Sequence, residues 1–245
     1  MGIPISLDIR NPFPDPTQTE AVVKQAYAVL RDADQRFSTY RADSEVSRIR
    51  SGKLRVREAS SDLQEVLAVG AAFQASSGGA FHCYTPAGEM DLNGVVKGWA
   101  VQRAADVMVA AGLDSFCINA GGDVVVRGRP GEGQRWHVGV RSPTNPARRL
   151  AVLAAYDEAV ATSGLYERGP HIWDGRTGRP ATALASVTVV AADLTTADIL
   201  ATTVFALGPD GVPWAAERYD CSLLALTAAG DILTGGRLAS VLARP

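Results

Sequence analysis

Asp198 and Thr202 stand four residues apart in the run Thr195-Thr196-Ala197-Asp198-Ile199-Leu200-Ala201-Thr202. Positions i and i+4 share one face of a helix, so this spacing sets a carboxylate and a hydroxyl one turn apart. The pair is all-oxygen, the ligand chemistry that hard cations such as Mg²⁺ prefer. The same pair also reads as an exposed helix face or a local hydrogen bond.

Four other segments carry polar groups in suggestive places. In Phe37–Glu45, Ser38, Thr39 and Tyr40 offer donors, and Tyr40 adds a ring on which a ligand could stack. That stretch also reads as a helix C-terminus followed by an N-cap at Asp43 or Ser44. In Asp91–Ala100, Gly94 lets a backbone carbonyl approach a ligand or metal without side-chain obstruction. Lys97 is read at the start of a helix, beside free N–H groups that suit a phosphate. A lysine there opposes the macrodipole; the alternative is a turn with an exposed lysine. In Ile118–Asp123, the glycines of Gly121-Gly122-Asp123 permit positive φ and close backbone approach to a planar ring or phosphate, or simply make a tight hairpin. The last segment has two parts: Ala161-Thr162-Ser163-Gly164, read as a small hydroxyl-rich turn, and His171–Gly178, read as a short strand entering a glycine turn. Of the histidines His82, His137 and His171, only His171 is flanked by polar and turn residues, which makes it the candidate acid/base. A structural hydrogen-bonding role is the alternative.

The elements that position these groups follow from periodicity. Ile3, Ile5, Leu7 and Ile9 alternate with polar residues, which predicts a strand over 3–9. Residues 17–37 predict an amphipathic helix with Val22, Ala26, Val29 and Leu30 inward. A second helix is predicted over 61–76, with Ser61 and Gln64 placed like a capping box and Gly78–Gly79 ending it. A third covers 97–111 up to Gly112, a fourth 195–207, and a short fifth 212–219. Strands are predicted over 115–120, 124–128, 136–141, 150–154 and 185–190, with a hairpin of 223–227 and 232–234 around Gly230–Asp231. The clustering of like elements favours an α+β fold with antiparallel sheets and packed helices over a doubly wound parallel sheet. No GxGxxG follows a strand, which argues against a Rossmann nucleotide site.

The chain has 245 residues and a net charge of −2, so nothing electrostatic favours nucleic acid. Cys83, Cys117 and Cys221 lack CxxC spacing and read as small hydrophobes rather than a disulfide framework or a zinc site. No apolar run is long enough to be a transmembrane segment. Residues 1–10 lack the pattern of a signal peptide, so a cytoplasmic location is expected if Met1 is the native start.

Taken in order, these segments resemble the ApbE family of FAD:protein FMN transferases. The resemblance begins with Met1-Gly2 and its following strand. It continues through Phe37–Glu45, Gly79–Phe81, Asp91–Ala100, Asn119–Asp123, Thr162–Glu167, His171–Gly178 and Ala197–Gly208. It implies one domain spanning 1–245 with the family's T-fold-like α+β architecture. It implies Mg²⁺-dependent transfer of FMN from FAD to a threonine of an acceptor protein, with AMP released; Mn²⁺ or Ca²⁺ could replace Mg²⁺. Its implied metal ligands are the Gly94 carbonyl, Asp198 and Thr202. The implied FAD contacts are Met1, Ser38, Thr39, Tyr40, Asp91, Lys97, Gly121, Gly122, Asp123, Thr162 and Ser163. His171 becomes the base toward the acceptor threonine. His82 departs from the family pattern, which commonly has Asp there. Two other functions remain open: an FAD pyrophosphatase yielding FMN and AMP, and an FAD-binding protein without catalysis.

Overall fold

The computed structural model describes residues 2–145, 147–165, 169 and 171–243. Alternating Ile5, Leu7 and Ile9 form strand β1 (Ile5–Ile9). Helix α1 (Pro16–Phe37) follows, started by the Asp15 side chain, which accepts from the Thr17 N–H. It buries Val22, Ala26, Leu30, Ala33 and Phe37, whereas Val29 is only partly covered. Ser44 caps a short helix, α2 (Glu45–Arg50), by accepting from the Ser47 N–H. The cap of α3 (Ser61–Ser76) is Ser60, one residue before the predicted Ser61; its hydroxyl accepts from Leu63. Gly78 and Gly79 end that helix with positive φ.

Helix α4 (Asn93–Ala110) begins four residues before its predicted start at Lys97. Asn93 and Gly94 are poor helix formers, and the N-cap position is an apolar Leu92 that makes no side-chain cap bond, so the sequence carries little sign of this start. Strands β2 (Phe116–Ala120) and β3 (Asp123–Arg127) are joined by the Gly121–Gly122 turn, and β4 (Trp136–Arg141) pairs with β5 (Arg149–Ala155). The expected turn at 161–164 is instead the end of a strand, β6 (Ala159–Gly164). Its residues are small and almost all buried, so no alternation marks it. Two short strands, β7 (Trp173–Asp174) and β8 (Arg179–Pro180), make a hairpin. Then come β9 (Leu184–Ala191), α5 (Leu194–Leu207), α6 (Gly211–Arg218), β10 (Ser222–Thr227), β11 (Ile232–Gly236) and α7 (Leu238–Val241).

Seven strands form an antiparallel sheet in the order β1-β2-β3-β6-β9-β10-β11. Period-two alternation divides its side chains between two cores. Val125, Ala161, Val187 and Val189 join the core with the helices. Val124, Val126, Val160 and Val190 pack on the other face against Trp136, Leu153 and Leu238, from the β4–β5 hairpin and α7. Helices α4 and α5 meet at Gly98, where an added Cβ would lie 2.5 Å from the Leu194 carbonyl oxygen and 2.8 Å from Asp198 Cβ. Only glycine permits that approach, and it brings Lys97 alongside Asp198. Among the described residues, no helix is long and apolar enough to cross a membrane.

Candidate active site

Helix α5 is mostly buried, with Ile199, Leu200, Val204 and Phe205 in the core, and Asp193 caps it by accepting from the Thr196 N–H. Within it Asp198 is buried to 3% exposure, which excludes the exposed-face reading of that residue. Its Oδ2 accepts the Gly98 N–H at 3.0 Å. In a regular helix that N–H donates to the carbonyl of Gly94. Its engagement by Asp198 competes with the helical bond and leaves oxygen capacity on Gly94.

Lys97 does not stand at the first turn of a helix, as expected, but in the second turn of α4. Its ammonium lies 2.6 Å from Asp123 Oδ2 and 3.2 Å from Asp198 Oδ1. Burial disfavours the ammonium, but the carboxylates of Asp198 and Asp123 outweigh it and hold Lys97 above its ordinary pKa. For Asp198 burial wins: its pKa is pushed up to about 7, against the opposing pull of Lys97 and the Gly98 N–H. Asp123 Oδ1 accepts the Thr162 N–H at 3.0 Å. The β3–β6 ladder pairs Val124 with Val160 and Val125 with Ala159 and goes no further, so the Asp123 side chain takes over where the ladder stops. Its buried Oδ2 has no well-aligned hydrogen bond, and Lys97 is its counter-ion.

Thr202 stands one turn beyond Asp198. Its Oγ1 lies 3.1 Å from Ser163 Oγ, and its methyl would be 3.7 Å from a Cβ on Gly94. Thr162 Oγ1 in turn lies 2.9 Å from Thr188 Oγ1. Gly94, Lys97, Asp123, Thr162, Ser163, Asp198 and Thr202 are therefore one connected cluster. Among the described residues no group of three or more His, Cys, Asp or Glu is placed to hold a metal. A cation here would need a carbonyl and a hydroxyl besides its carboxylate, and Gly94 and Thr202 supply both. Two buried carboxylates around one ammonium also leave a negative charge that a cation would offset, so these residues fit a hard divalent ion.

The remaining expected residues lie outside this cluster. Gly121 and Gly122 have φ of 62° and 103°, as their turn requires, and the Gly122 N–H donates to Asn119 Oδ1. Ile3 packs against Gly121. A groove of about 520 Å³ runs between β1 and α1, lined by Gly2, Ile3, Tyr27, Arg31 and Arg41 among others. Ser38 ends α1 and accepts the Tyr40 N–H; Tyr40 is 98% exposed. Thr39 is in the same turn, and Met1 and Glu167 lie outside the described residues. Asp91 accepts the Asn93 N–H at the start of α4.

His171 is exposed, and its Nδ1 lies 2.9 Å from the Gly169 carbonyl. A carbonyl only accepts, so Nδ1 carries the proton and Nε2 is left as a base. Among the described residues no hydrogen bond ties His171 to the Lys97 cluster. The hairpin just after it is anchored, with the Gly175 N–H donating to the Ala80 carbonyl. His82 lies beside that hairpin, and its Nδ1 accepts the Tyr84 N–H. Two participants were absent from the sequence reading. Gly98 had no local signal, whereas the hydroxyl of Thr188 inside the apolar run Val187-Thr188-Val189 was visible.

The ApbE family model matches residues 1–87 and 84–226 of the chain. The FAD:protein FMN transferase of Vibrio cholerae is 30% identical over 152 residues, which cover 58% of this chain and 46% of that protein. The Escherichia coli K12 protein of the same name is 32% identical over 152 residues, covering 58% and 43%. The chain thus matches about half the length of these curated relatives. The solved flavin transferase ApbE of Vibrio cholerae superposes with a TM-score of 0.84 at 22% identity, covering 99% of this chain and 96% of that one. The apbe protein of Thermotoga maritima gives 0.81 at 20% identity, covering 99% and 100%. These structural likenesses establish a shared fold of helices and antiparallel sheet.

Proposed function

The chain belongs to the ApbE family, and we propose that it transfers FMN from FAD to a threonine hydroxyl of an acceptor protein, releasing AMP. The observation that carries this reading is the convergence of Gly94, Lys97, Asp123, Asp198 and Thr202 at the α4–α5 contact. The name shared by the two relatives supplies the substrate class.

In the proposed reaction the threonine oxygen forms a bond to the FMN phosphorus. The bond from that phosphorus to the AMP oxygen breaks, and negative charge builds on the pyrophosphate oxygens. A divalent ion held by the Gly94 carbonyl, Asp198 and Thr202 would supply Lewis-acid stabilisation of that charge. An ammonium has three donors. Asp123 and Asp198 lie 2.6 Å and 3.2 Å from the Lys97 ammonium, and the side chain's 31% exposure leaves it open to a phosphate oxygen. The threonine hydroxyl is a weak nucleophile until a base takes its proton, and Nε2 of His171 has the free lone pair for that. Tyr40, 98% exposed and next in sequence to Arg41 of the β1–α1 groove, is suited to stack on a planar ring, and the Gly121–Gly122 turn admits close backbone approach.

The test is to incubate the protein with FAD, Mg²⁺ and a flavin-acceptor domain, then weigh the acceptor by mass spectrometry. A gain of one FMN with AMP in solution is the expected result. Free FMN and AMP with an unmodified acceptor would replace transfer by hydrolysis, and intact FAD would leave only binding.

A further inference from the structure

Asp123 follows a glycine turn, where an acidic residue ordinarily faces water, yet it is 2% exposed. Its two oxygens have separate tasks. Oδ1 accepts the Thr162 N–H at the point where the β3–β6 ladder ends. Among the described residues Oδ2 has the Lys97 ammonium as its partner, at 2.6 Å, closer than the 3.2 Å between Lys97 and Asp198 Oδ1. A neutral amide would serve the first task equally well; only the second needs a charge.

Without Asp123 the ammonium would belong to Asp198 alone. Lysine and Asp198 would then form a neutral pair, and a cation approaching Asp198 would compete with Lys97 for its charge. With Asp123 present, Lys97 is shared, and when both carboxylates are ionised one negative charge stays uncompensated in a buried place, where charge is costly. We infer that Asp123 is a positioning residue of the cation site: by drawing the Lys97 ammonium to itself it leaves the Asp198 carboxylate available to a divalent ion. The inference rests on the proposed metal site at Gly94, Asp198 and Thr202.

Binding of Mn²⁺ by the FAD-free protein tests it, followed by calorimetry and by loss of the free-ion electron paramagnetic resonance signal. Three proteins are compared: the unaltered chain, Asp123→Asn and Thr202→Val. Asp123→Asn keeps an oxygen for Thr162 and nearly the same volume. The variant removes one charge at close range in a partly screened site, so Mn²⁺ affinity should fall at least about tenfold. Circular dichroism and the Thr162-dependent strand pairing should be unchanged. Equal Mn²⁺ affinity in Asp123→Asn and the unaltered chain would overturn the inference while leaving the site intact. No Mn²⁺ binding by the unaltered chain, or full binding by Thr202→Val, would instead overturn the metal site itself. If Asp123→Asn were poorly folded, Asp123→Glu decides: recovered folding and Mn²⁺ affinity support a need for charge, and recovered folding alone refutes it.

Discussion

The backbone N–H of Gly98 donates to Asp198 Oδ2 at 3.0 Å across the contact between α4 and α5. This one bond fixes the carboxylate rotamer, draws on a donor that helix geometry assigns to Gly94, and depends on a glycine that no other residue can replace. Structure and chemistry therefore meet at a single helix crossing.

Gly98→Ala should be costly for that reason. Its Cβ would lie 2.5 Å from the Leu194 carbonyl oxygen, which is backbone and cannot swing aside. Overpacking of this kind costs about 1–3 kcal/mol. Urea denaturation should record a loss of that size, and metal affinity should fall with it because Asp198 must shift. Unchanged stability would mean that the helices separate freely here.

Removal of divalent ions should make stability depend on pH in a particular direction. Burial holds Asp198 at about 7, above its ordinary 3.8, so the folded protein binds a proton that the unfolded chain has lost. Stability of the metal-free protein should therefore decline as pH rises from about 4 to about 7. Added Mg²⁺ should reduce that decline. Thermal unfolding in chelator and in excess Mg²⁺, at pH 5 and pH 7.5, measures both slopes.

His171→Ala should separate two steps. His171 is exposed and, among the described residues, makes no hydrogen bond to the buried cluster, so FAD affinity should change little. Acceptor modification should fall by about 10²–10⁴-fold, the usual value of a general base. Comparable losses in FAD binding and in transfer would give His171 a binding or structural role instead.

The Ser163–Thr202 hydroxyl pair offers a milder probe. Ser163→Ala removes a 3.1 Å partner of Thr202 Oγ1 and leaves that oxygen less well aimed. A net cost of about 0.5–1.5 kcal/mol in stability is expected, with weaker Mg²⁺ binding at unchanged fold. Full Mg²⁺ affinity in the variant would free Thr202 of any need for this partner.

Much of this was legible in the sequence, and the failures have causes. The span of α5 and the pairing of Asp198 with Thr202 followed from the 3.6-residue period, and the Gly121–Gly122 turn from its glycines. Strand β6 was hidden because both its faces are covered, so small residues replace alternation. The start of α4 was hidden by weak helix formers behind an apolar N-cap, Leu92, which left Lys97 assigned to a terminus it does not occupy. The Lys97–Asp123 and Lys97–Asp198 pairs join residues 26 and 101 positions apart, and no local pattern encodes such a meeting.

In the proposed mechanism Asp198 serves metal-dependent cleavage of FAD. Release of AMP from FAD in the presence of the acceptor domain, followed by chromatography with and without Mg²⁺, tests it in the unaltered chain and in Asp198→Asn, which keeps the side-chain volume. Mg²⁺-dependent AMP release by the unaltered chain is expected, with a loss of about 10²-fold or more in the variant, the scale set by losing one transition-state electrostatic contact. AMP release at the unaltered rate by a folded Asp198→Asn protein would contradict it.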